Sequence, residues 1–261
     1  MNILILGDIV GKIGRRGVGL LLPQIKKEYG IDFTIANIEN AATGFGITES
    51  VLKELMDYGI DAFTSGNHIW DKKEGISVLE NYERVLRPAN YPSGVPGRGY
   101  ITVSYYGKKI GIINIQGRIF MEPIENPFTV VHNIVEEMEK DTKIIVVDMH
   151  AEATSEKIAM GYFLDGRVTA VVGTHTHVQT ADEKILPGGT GYISDLGMCG
   201  AYDSILGVDK EAVLKKFLLQ IPQKFDVPEK GLFKVEGVII EVEEVNGKTK
   251  NIIRLQRRGE I

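Results

Sequence analysis

The sequence predicts a mixed α/β protein with a single domain over residues 1–261, and three observations support this class. Short aliphatic runs alternate with segments in which apolar residues recur at helical spacing. Two pairs of β-rich runs read as hairpins, which adds antiparallel strands to the alternation. With 43% hydrophobic residues and neither an internal repeat nor a linker, the chain can bury one large core.

The predicted elements follow in chain order. Strands are predicted at residues 2–6, 32–38, 61–65, 100–106, 109–115, 143–147, 191–194, 233–245 and 250–257, together with one that begins at residue 170. The glycine-punctuated residues 11–17 lead into a first predicted helix, which runs through residue 25. Further helices are predicted from a Thr48 cap to Gly59, at 128–140 and 155–163, and from an Asp209 cap to 219. The Pro- and Gly-rich residues 87–99 and the Gly-rich residues 197–207 predict loops, and Asn246-Gly247 predicts a hairpin turn.

Composition limits the range of functions. The 35 acidic and 30 basic residues give a formal charge of −5 without long charged blocks, which argues against binding along a nucleic-acid backbone. Cys199 is the only cysteine, so an intrachain disulfide and a thiolate metal cluster are excluded and a reducing compartment is favoured. No secretory signal or membrane span is recognisable, and we expect a cytoplasmic protein.

Polar side chains follow the predicted strands, most clearly at residues 170–177. This apolar run stops at Gly173 and then presents His175 and His177, which can face one space if the strand's alternation continues. Four of the five histidines follow such runs, whereas His132 falls on the polar side of a helix and is predicted to be solvated. Open α/β folds place their sites at the carboxyl ends of strands. The residues at these ends are Asp8, Glu39, Asn40, Asn67, His68, His150, His175 and His177.

The combination of these residue types predicts a metal centre. Each has an ordinary alternative, such as turn formation by Asp8 and Asn67 or helix capping by Glu39, but five strands deliver them to one edge. Three histidines alone could bind a single zinc ion. With the additional carboxylates and amides there are more candidate ligands than one tetrahedral ion can bind. We therefore expect two divalent cations that share a carboxylate and clamp a phosphoryl group. Nitrogen and oxygen donors suit iron or manganese, with zinc as a further candidate.

The ordered motifs Gly7-Asp8, Gly66-Asn67-His68, His150 and Gly173-Thr-His-Thr-His177 resemble those of the calcineurin-like metallophosphoesterases. More closely, the chain is similar to the YmdB-type bacterial phosphodiesterases, through residues 38–42, 70–73, 87–90, 150–156 and 172–182. The resemblance implies an α/β fold built as a four-layer α/β/β/α sandwich with mixed sheets. It also implies hydrolysis of 2′,3′-cyclic nucleotides, with 3′,5′-cyclic nucleotides and RNA ends as further candidates, and a homo-oligomer that binds no membrane.

Three features depart from the wider superfamily pattern. Val10 stands where a histidine is usual, Glu39 replaces an aspartate, and Ile69-Trp70 separate His68 from the acidic Asp71. The YmdB-type pattern implies that Asn40 supplies the missing ligand and that Glu39 bridges the metals. The implied ligand sets are Asp8, Glu39, Asn40 and His177 for one metal and Glu39, Asn67, His150 and His175 for the other.

The mechanistic hypothesis is that a metal-bridging hydroxide attacks phosphorus while His68, free of metal, protonates the departing ribose oxygen. A hydrogen bond to the cluster is the alternative role for His68, and whether Asp71 orients it is left open. The alternative functions are a phosphomonoesterase or nuclease on the same centre, or a regulatory protein whose metals are mainly structural. No base-binding residue is assigned, because Phe45, Tyr91 and Tyr202 could each stack on a base or simply pack.

Overall fold

The computed structural model covers residues 1–261 and contains thirteen strands and six α-helices. The strands are β1 Asn2–Leu6, β2 Asp8–Ile9, β3 Phe33–Asn37, β4 Ala62–Thr64, β5 Tyr100–Tyr105, β6 Lys108–Gln116, β7 Ile144–His150, β8 Ala170–Thr174, β9 Lys184–Ile185, β10 Gly191–Ile193, β11 Met198–Ala201, β12 Leu232–Val242 and β13 Thr249–Glu260. The helices are α1 Gly11–Tyr29, α2 Glu49–Asp57, α3 Lys73–Asn81, α4 Pro127–Met138, α5 Thr154–Phe163 and α6 Lys210–Leu219, and a 3₁₀ turn, Asn67–Trp70, follows β4. None of these helices has both the length and the apolar content that crossing a bilayer requires.

The strands form two mixed sheets. The first has the order β2-β11-β12-β1-β3-β4, with β13 also paired to β12. Within it β1, β3 and β4 are parallel, whereas β12 is antiparallel to β1 and β13. The second has the order β5-β6-β7-β8-β10-β9, in which β6, β7, β8 and β10 are parallel. Parallel neighbours end together, so each sheet presents one edge of carboxyl ends where a site can form.

Three apolar cores separate four layers of structure. Leu4 of β1 lies in a core shared with α1, α2 and α3, while its neighbour Ile5 faces a second core that contains Val146 of β7. Val147 points the other way, into a third core shared with α4 and α5. Successive strand residues face opposite sides, so each sheet has one face on helices and the other on its companion sheet. The predicted α/β/β/α sandwich with mixed sheets is therefore confirmed.

Local sequence signals place the ends of several elements. The Thr48 and Asp209 side chains each accept a hydrogen bond from a backbone N–H in the first turn of the helix that follows, as predicted. The Asn246-Gly247 turn joins β12 and β13, and Gly247 has the positive φ of 74° that this turn needs. The hairpin of β5 and β6 is also confirmed.

The prediction of a loop at residues 197–207 was wrong, because the segment contains β11. This strand pairs with β2 on one side and with β12 on the other, inside the first sheet. The strand contains one glycine and no β-branched or aromatic residue, so its own sequence carries no strand signal, and the partners that pair with it are distant in sequence. Helix α1 packs directly on β11. A Cβ at Gly14 would lie only 2.1 Å from the Cys199 carbonyl oxygen, so this close approach requires glycine.

A buried ion pair anchors the segment that follows β8. Lys157 of α5 donates to Asp195 Oδ2 at 2.7 Å and to the Thr174 carbonyl oxygen at 2.9 Å, and both side chains are about 98% buried. The same Asp195 oxygen accepts from the backbone N–H and the hydroxyl of Thr176. Helix α5, the end of β8 and the loop after β10 are therefore held together by one carboxylate.

Lys157→Met is predicted to lower the free energy of unfolding by about 3–5 kcal/mol, because it leaves the Asp195 carboxylate buried without its cation. Urea denaturation of the two proteins measures the difference. Lys210→Met is the matched control, since it removes a lysine from the exposed pair with Asp203 and should change stability far less. Equal effects of the two substitutions would contradict a structural role for the buried pair.

Candidate metal centre

All eight predicted site residues meet at one edge of the sandwich, between the carboxyl ends of the two sheets. The first sheet supplies Asp8 after β1, Glu39 and Asn40 after β3, and Asn67 and His68 after β4. The second sheet supplies His150, which is the last residue of β7 rather than a residue beyond it, and His175 and His177 after β8. The site is thus assembled where the layers of both sheets converge.

Three of these residues, Glu39, Asn67 and His175, converge on His150, and the four together are here called the Glu39 group. His150 Nε2 lies 3.1 Å from Glu39 Oε1, 3.2 Å from Asn67 Oδ1 and 3.1 Å from His175 Nδ1. The ligand atoms of Glu39, His150 and His175 all lie within 4.8 Å of one another. Two imidazole nitrogens, a carboxylate oxygen and an amide oxygen at these distances form a donor set that can hold a divalent cation.

Three further residues, here called the Asp8 group, lie beside the first four. His177 Nε2 is 3.6 Å from Asp8 Oδ1 and 3.2 Å from Asn40 Nδ2, and Asn40 Nδ2 donates to Glu39 Oε1 at 3.3 Å. Asp8 Oδ1 and Asn40 Oδ1 are buried oxygens without a hydrogen-bond partner. Buried acceptors are normally satisfied, so two such oxygens beside an imidazole nitrogen fit a cation.

Hydrogen bonds on the far side of each ring determine which imidazole nitrogens face the centre. His150 Nδ1 lies 2.9 Å from the Thr174 hydroxyl, whose own proton goes to Asp148. His175 Nε2 lies 3.1 Å from a carboxylate oxygen of Glu152, and His177 Nδ1 donates to a backbone carbonyl oxygen. In its neutral form each ring therefore carries its proton on the outside and directs a lone pair inward. This is the arrangement that orients imidazole ligands of metals.

The turn that presents His175 and His177 is not a strand, so the geometry expected from strand alternation was wrong. Strand β8 ends at Thr174, and His175 and His177 have φ values of 101° and 62°. Residues other than glycine adopt positive φ only where the surroundings compensate for the strain. The contacts of Asp195 with Thr176, between the two histidines, hold this left-handed turn.

The electrostatic field of the centre attracts positive charge. Burial alone would lower the pKa of His177, but its pairing with Asp8 outweighs burial and raises that pKa to about 9. Burial likewise lowers the pKa of His150, and the Glu39 carboxylate reverses the shift to a net increase. The pKa of His175 falls to about 4, because burial and the neighbouring His150 disfavour a second imidazolium.

His68 lies at the rim of the centre and differs from the other histidines. Its backbone N–H donates to Glu39 Oε2 at 2.8 Å, while its side chain points to a cavity of about 290 Å³. His68 Nδ1 is 2.8 Å from Asp71 Oδ2, so Asp71 does orient the ring. Among the stacking candidates, Phe45 lines this cavity, whereas Tyr91 packs on Trp70 and Tyr202 lies under Arg258.

The sequence interpretation missed the residues that support the ligands, namely Asp148, Thr174, Glu152 and Asp195. One of them carried a signal, since Asp148 interrupts an apolar strand and is fully buried in the structure. Burial raises the pKa of Asp148 to about 6, and Thr64 and Thr174 hydrogen-bond to its oxygens. A carboxylate inside an apolar run indicates a buried polar network even where its partners cannot be named.

Comparisons with known proteins agree with this geometry. A family model described as YmdB-like protein matches residues 4–255. The chain belongs to the YmdB-like family. A 2′,3′-cyclic-nucleotide 2′-phosphodiesterase of Bacillus subtilis is 47% identical over 257 residues, which are 98% of this chain and 96% of that protein. The predicted family is thereby confirmed.

Solved structures extend the likeness of this YmdB-like chain to the whole fold. A hypothetical protein from Thermus thermophilus has a TM-score of 0.91 at 41% identity, with 99% of both chains covered. A phosphatase from Mycoplasma pneumoniae has a TM-score of 0.93 at 33% identity, with 100% of this chain and 94% of that chain covered. A putative 5′-nucleotidase from Staphylococcus aureus, at 16% identity and a TM-score of 0.64, shares the fold alone.

The backbone before the 3₁₀ turn leaves room for the Glu39 group. A Cβ on Gly66 would lie 2.1 Å from His150 Nε2, the atom at the middle of that group. The φ of Gly66 is −154°, outside the left-handed region, so the close approach to His150 is the reason for glycine here.

Gly66→Ala is predicted to displace the His150 ring and to abolish stoichiometric Mn²⁺ binding at the Glu39 group while the fold is kept. Metal analysis after gel filtration, with circular dichroism as a check on folding, measures this. Gly107→Ala is the control for destabilisation alone: its φ of 77° strains any side chain, but a Cβ there meets no atom within 4 Å and the hairpin turn is remote from the centre, so the Mn²⁺ content should be unchanged. A Gly66→Ala protein with full Mn²⁺ content would contradict the close approach.

Proposed function

We propose that the chain is a metal-dependent phosphodiesterase that hydrolyses 2′,3′-cyclic nucleotides. The observation that carries the proposal is the convergence of two carboxylates, two amides and three imidazoles with their donor atoms directed inward. The name of the Bacillus subtilis relative supports the substrate class. Relatives from Mycoplasma genitalium and Mycoplasma pneumoniae, at 38% and 35% identity, carry the broader description of putative phosphatase/phosphodiesterase.

The proposal places two divalent cations in the centre, with iron or manganese favoured and zinc as a third candidate. The Glu39 group would hold one cation, and the Asp8 group together with Glu39 would hold the other. Glu39 suits the bridging position because its Oε1 contacts both His150 and Asn40. When bound, such a pair supplies Lewis-acid activation of water and neutralises charge on the phosphoryl oxygens.

His68 is proposed as the general acid. It lines the cavity, its Nδ1 is engaged by Asp71, and its Nε2 is not required by either cation group. Water attacks phosphorus as the bond from phosphorus to the ribose 2′ oxygen breaks, and His68 Nε2 gives its proton to that oxygen. The attacking water releases one proton to solvent, the product is a 3′-phosphate, and His68 regains its proton from solvent. The Asp71 carboxylate holds the ring in the orientation that this transfer needs.

A substrate panel tests the proposed activity. The Mn²⁺-loaded and Fe²⁺-loaded proteins are assayed with 2′,3′-cyclic AMP, 3′,5′-cyclic AMP, p-nitrophenyl phosphate and an RNA oligonucleotide that ends in a 2′,3′-cyclic phosphate. The expected result is the highest kcat/KM on 2′,3′-cyclic AMP. Preference for the monoester would instead establish a phosphomonoesterase, and no turnover of any substrate would favour a regulatory protein.

Light scattering on the same samples tests the expected homo-oligomer.

His68→Ala is predicted to lower kcat on 2′,3′-cyclic AMP by about 10² or more while the metal content is unchanged, since a proton donor is lost but no metal ligand. The loss should be much smaller on bis(p-nitrophenyl) phosphate, whose leaving group departs as a stable anion. Asp71→Asn should give a smaller loss and move the pH profile of kcat. These differences separate proton donation from a structural role.

His132→Ala is the matched control for His68. His132 lies on α4, where it contacts Arg167 and Glu136, and no part of it borders the cavity. Its replacement should leave kcat and KM unchanged. An equal loss for His68→Ala on the cyclic nucleotide and on the activated diester would remove His68 from the role of general acid.

A further inference from the structure

The cavity beside the candidate metal centre has two chemically different halves. Every polar side chain on its wall belongs to the centre or to the residues that orient it: Glu39, Asn40, His68, Glu152, His175, Thr176 and His177. Apart from Gly44, the rest of the wall is aliphatic or aromatic: Val10, Phe45, Leu206, Val208, Phe225 and Val227. A cavity of about 290 Å³ with one charged and one apolar half suits a small solute that has both characters.

The apolar half depends on close packing of the Val227 side chain against two glycines. A Cβ on Gly11 would lie 2.7 Å from Val227 Cγ1, and a Cβ on Gly44 would lie 2.7 Å from Val227 Cγ2. Glycine at these two positions therefore lets Val227 reach the wall of the cavity. Phe45 sits between Gly44 and Gly46, both at positive φ, and its ring centroid is 4.9 Å from that of His68. The aromatic ring is thus adjacent to the proposed proton donor.

Phe225 is held by a contact outside the cavity. The Lys216 ammonium of α6 lies 4.9 Å from the centre of the Phe225 ring, at a distance that gives a cation–π interaction. Lys216 does not line the cavity, whereas Phe225 does. Residues 206–208 complete the wall, and the Leu206 carbonyl oxygen accepts from His177 Nδ1, which ties this wall to the centre.

We infer that the apolar half is the nucleobase subsite, with Phe45 and Phe225 as its stacking residues. The inference rests on the proposed function, because a cyclic nucleotide combines a phosphodiester with a planar apolar base. No uncommitted polar side chain lies in this half to read the edge of a base. Binding by stacking is sequence-tolerant, since every base has a π-face. The subsite therefore holds a base without selecting among bases.

Steady-state kinetics with and without a base test the inference. The Mn²⁺-loaded protein is assayed on 2′,3′-cyclic AMP and on methyl β-ribofuranoside 2′,3′-cyclic phosphate, which lacks the base. The wild type should have a KM about tenfold or more lower for the nucleotide, as base–aromatic stacking provides. The four common 2′,3′-cyclic nucleotides should have kcat/KM values within about tenfold of one another, as expected for stacking without edge recognition.

Phe225→Ala and Phe45→Leu should each raise KM for 2′,3′-cyclic AMP and leave KM for the baseless substrate unchanged. Phe225→Ala is the primary variant because Phe45 also touches His68, so Phe45→Leu can alter kcat as well. Phe217→Ala is the matched control, since this phenylalanine on α6 is 68% exposed and outside the cavity. The control should leave both KM values unchanged.

The outcomes separate the subsite from the activity. Hydrolysis of both substrates with equal KM, or variants that leave the ratio of the two KM values at the wild-type level, would overturn the subsite and leave the phosphodiesterase standing. Hydrolysis of neither substrate would overturn the phosphodiesterase, and the base subsite would fall with it. A kcat/KM for one base more than about tenfold above the rest would contradict recognition by stacking alone.

Discussion

The burial of two carboxylates at one sheet edge is the constraint on which the rest of the structure depends. Asp8 and Glu39 are fully buried. Burial disfavours ionisation of both, and the charge of Asp8 adds to this cost at Glu39, yet the neighbouring His150 and His177 hold the pKa of each carboxyl below its usual range. A buried charge is tolerated only when it is paired. The one buried lysine nearby, Lys157, is already engaged by Asp195. Positive charge must therefore come from protons on the histidines or from cations, and the inward lone pairs favour cations.

Much of the polar interior of the protein supports that centre. Asp148 and Thr174 fix the ring of His150, Glu152 fixes that of His175, and Asp195 holds the strained turn between His175 and His177. These supports lie on or after strands of the second sheet, and Thr64 of the first sheet and Lys157 of α5 hydrogen-bond to two of them, so the layers cannot shift without disturbing the ligands. Binding sites built on strand ends gain this precision from the packing of the scaffold.

Local pattern predicted the mixed α/β class and the set of converging residues, whereas the four-layer sandwich was implied by the family resemblance. Aliphatic runs that end in polar residues indicate a strand and its carboxyl end, and strand ends of parallel sheets lie together. The turn after β8 could not be predicted, since nothing in the sequence shows that His175 and His177 take positive φ. Strand β11 was missed because its pairing partners, rather than its own residues, determine it. Glu152 was missed because its contact with His175 is formed only by the fold.

The claim that the centre holds two cations is tested most directly by a crystal structure of the protein soaked with Mn²⁺, with data collected to show anomalous scattering. The account predicts two anomalous peaks about 3.5–4 Å apart, one among Glu39, His150 and His175 and one among Asp8, Asn40 and His177. A single peak, or peaks away from these side chains, would contradict it.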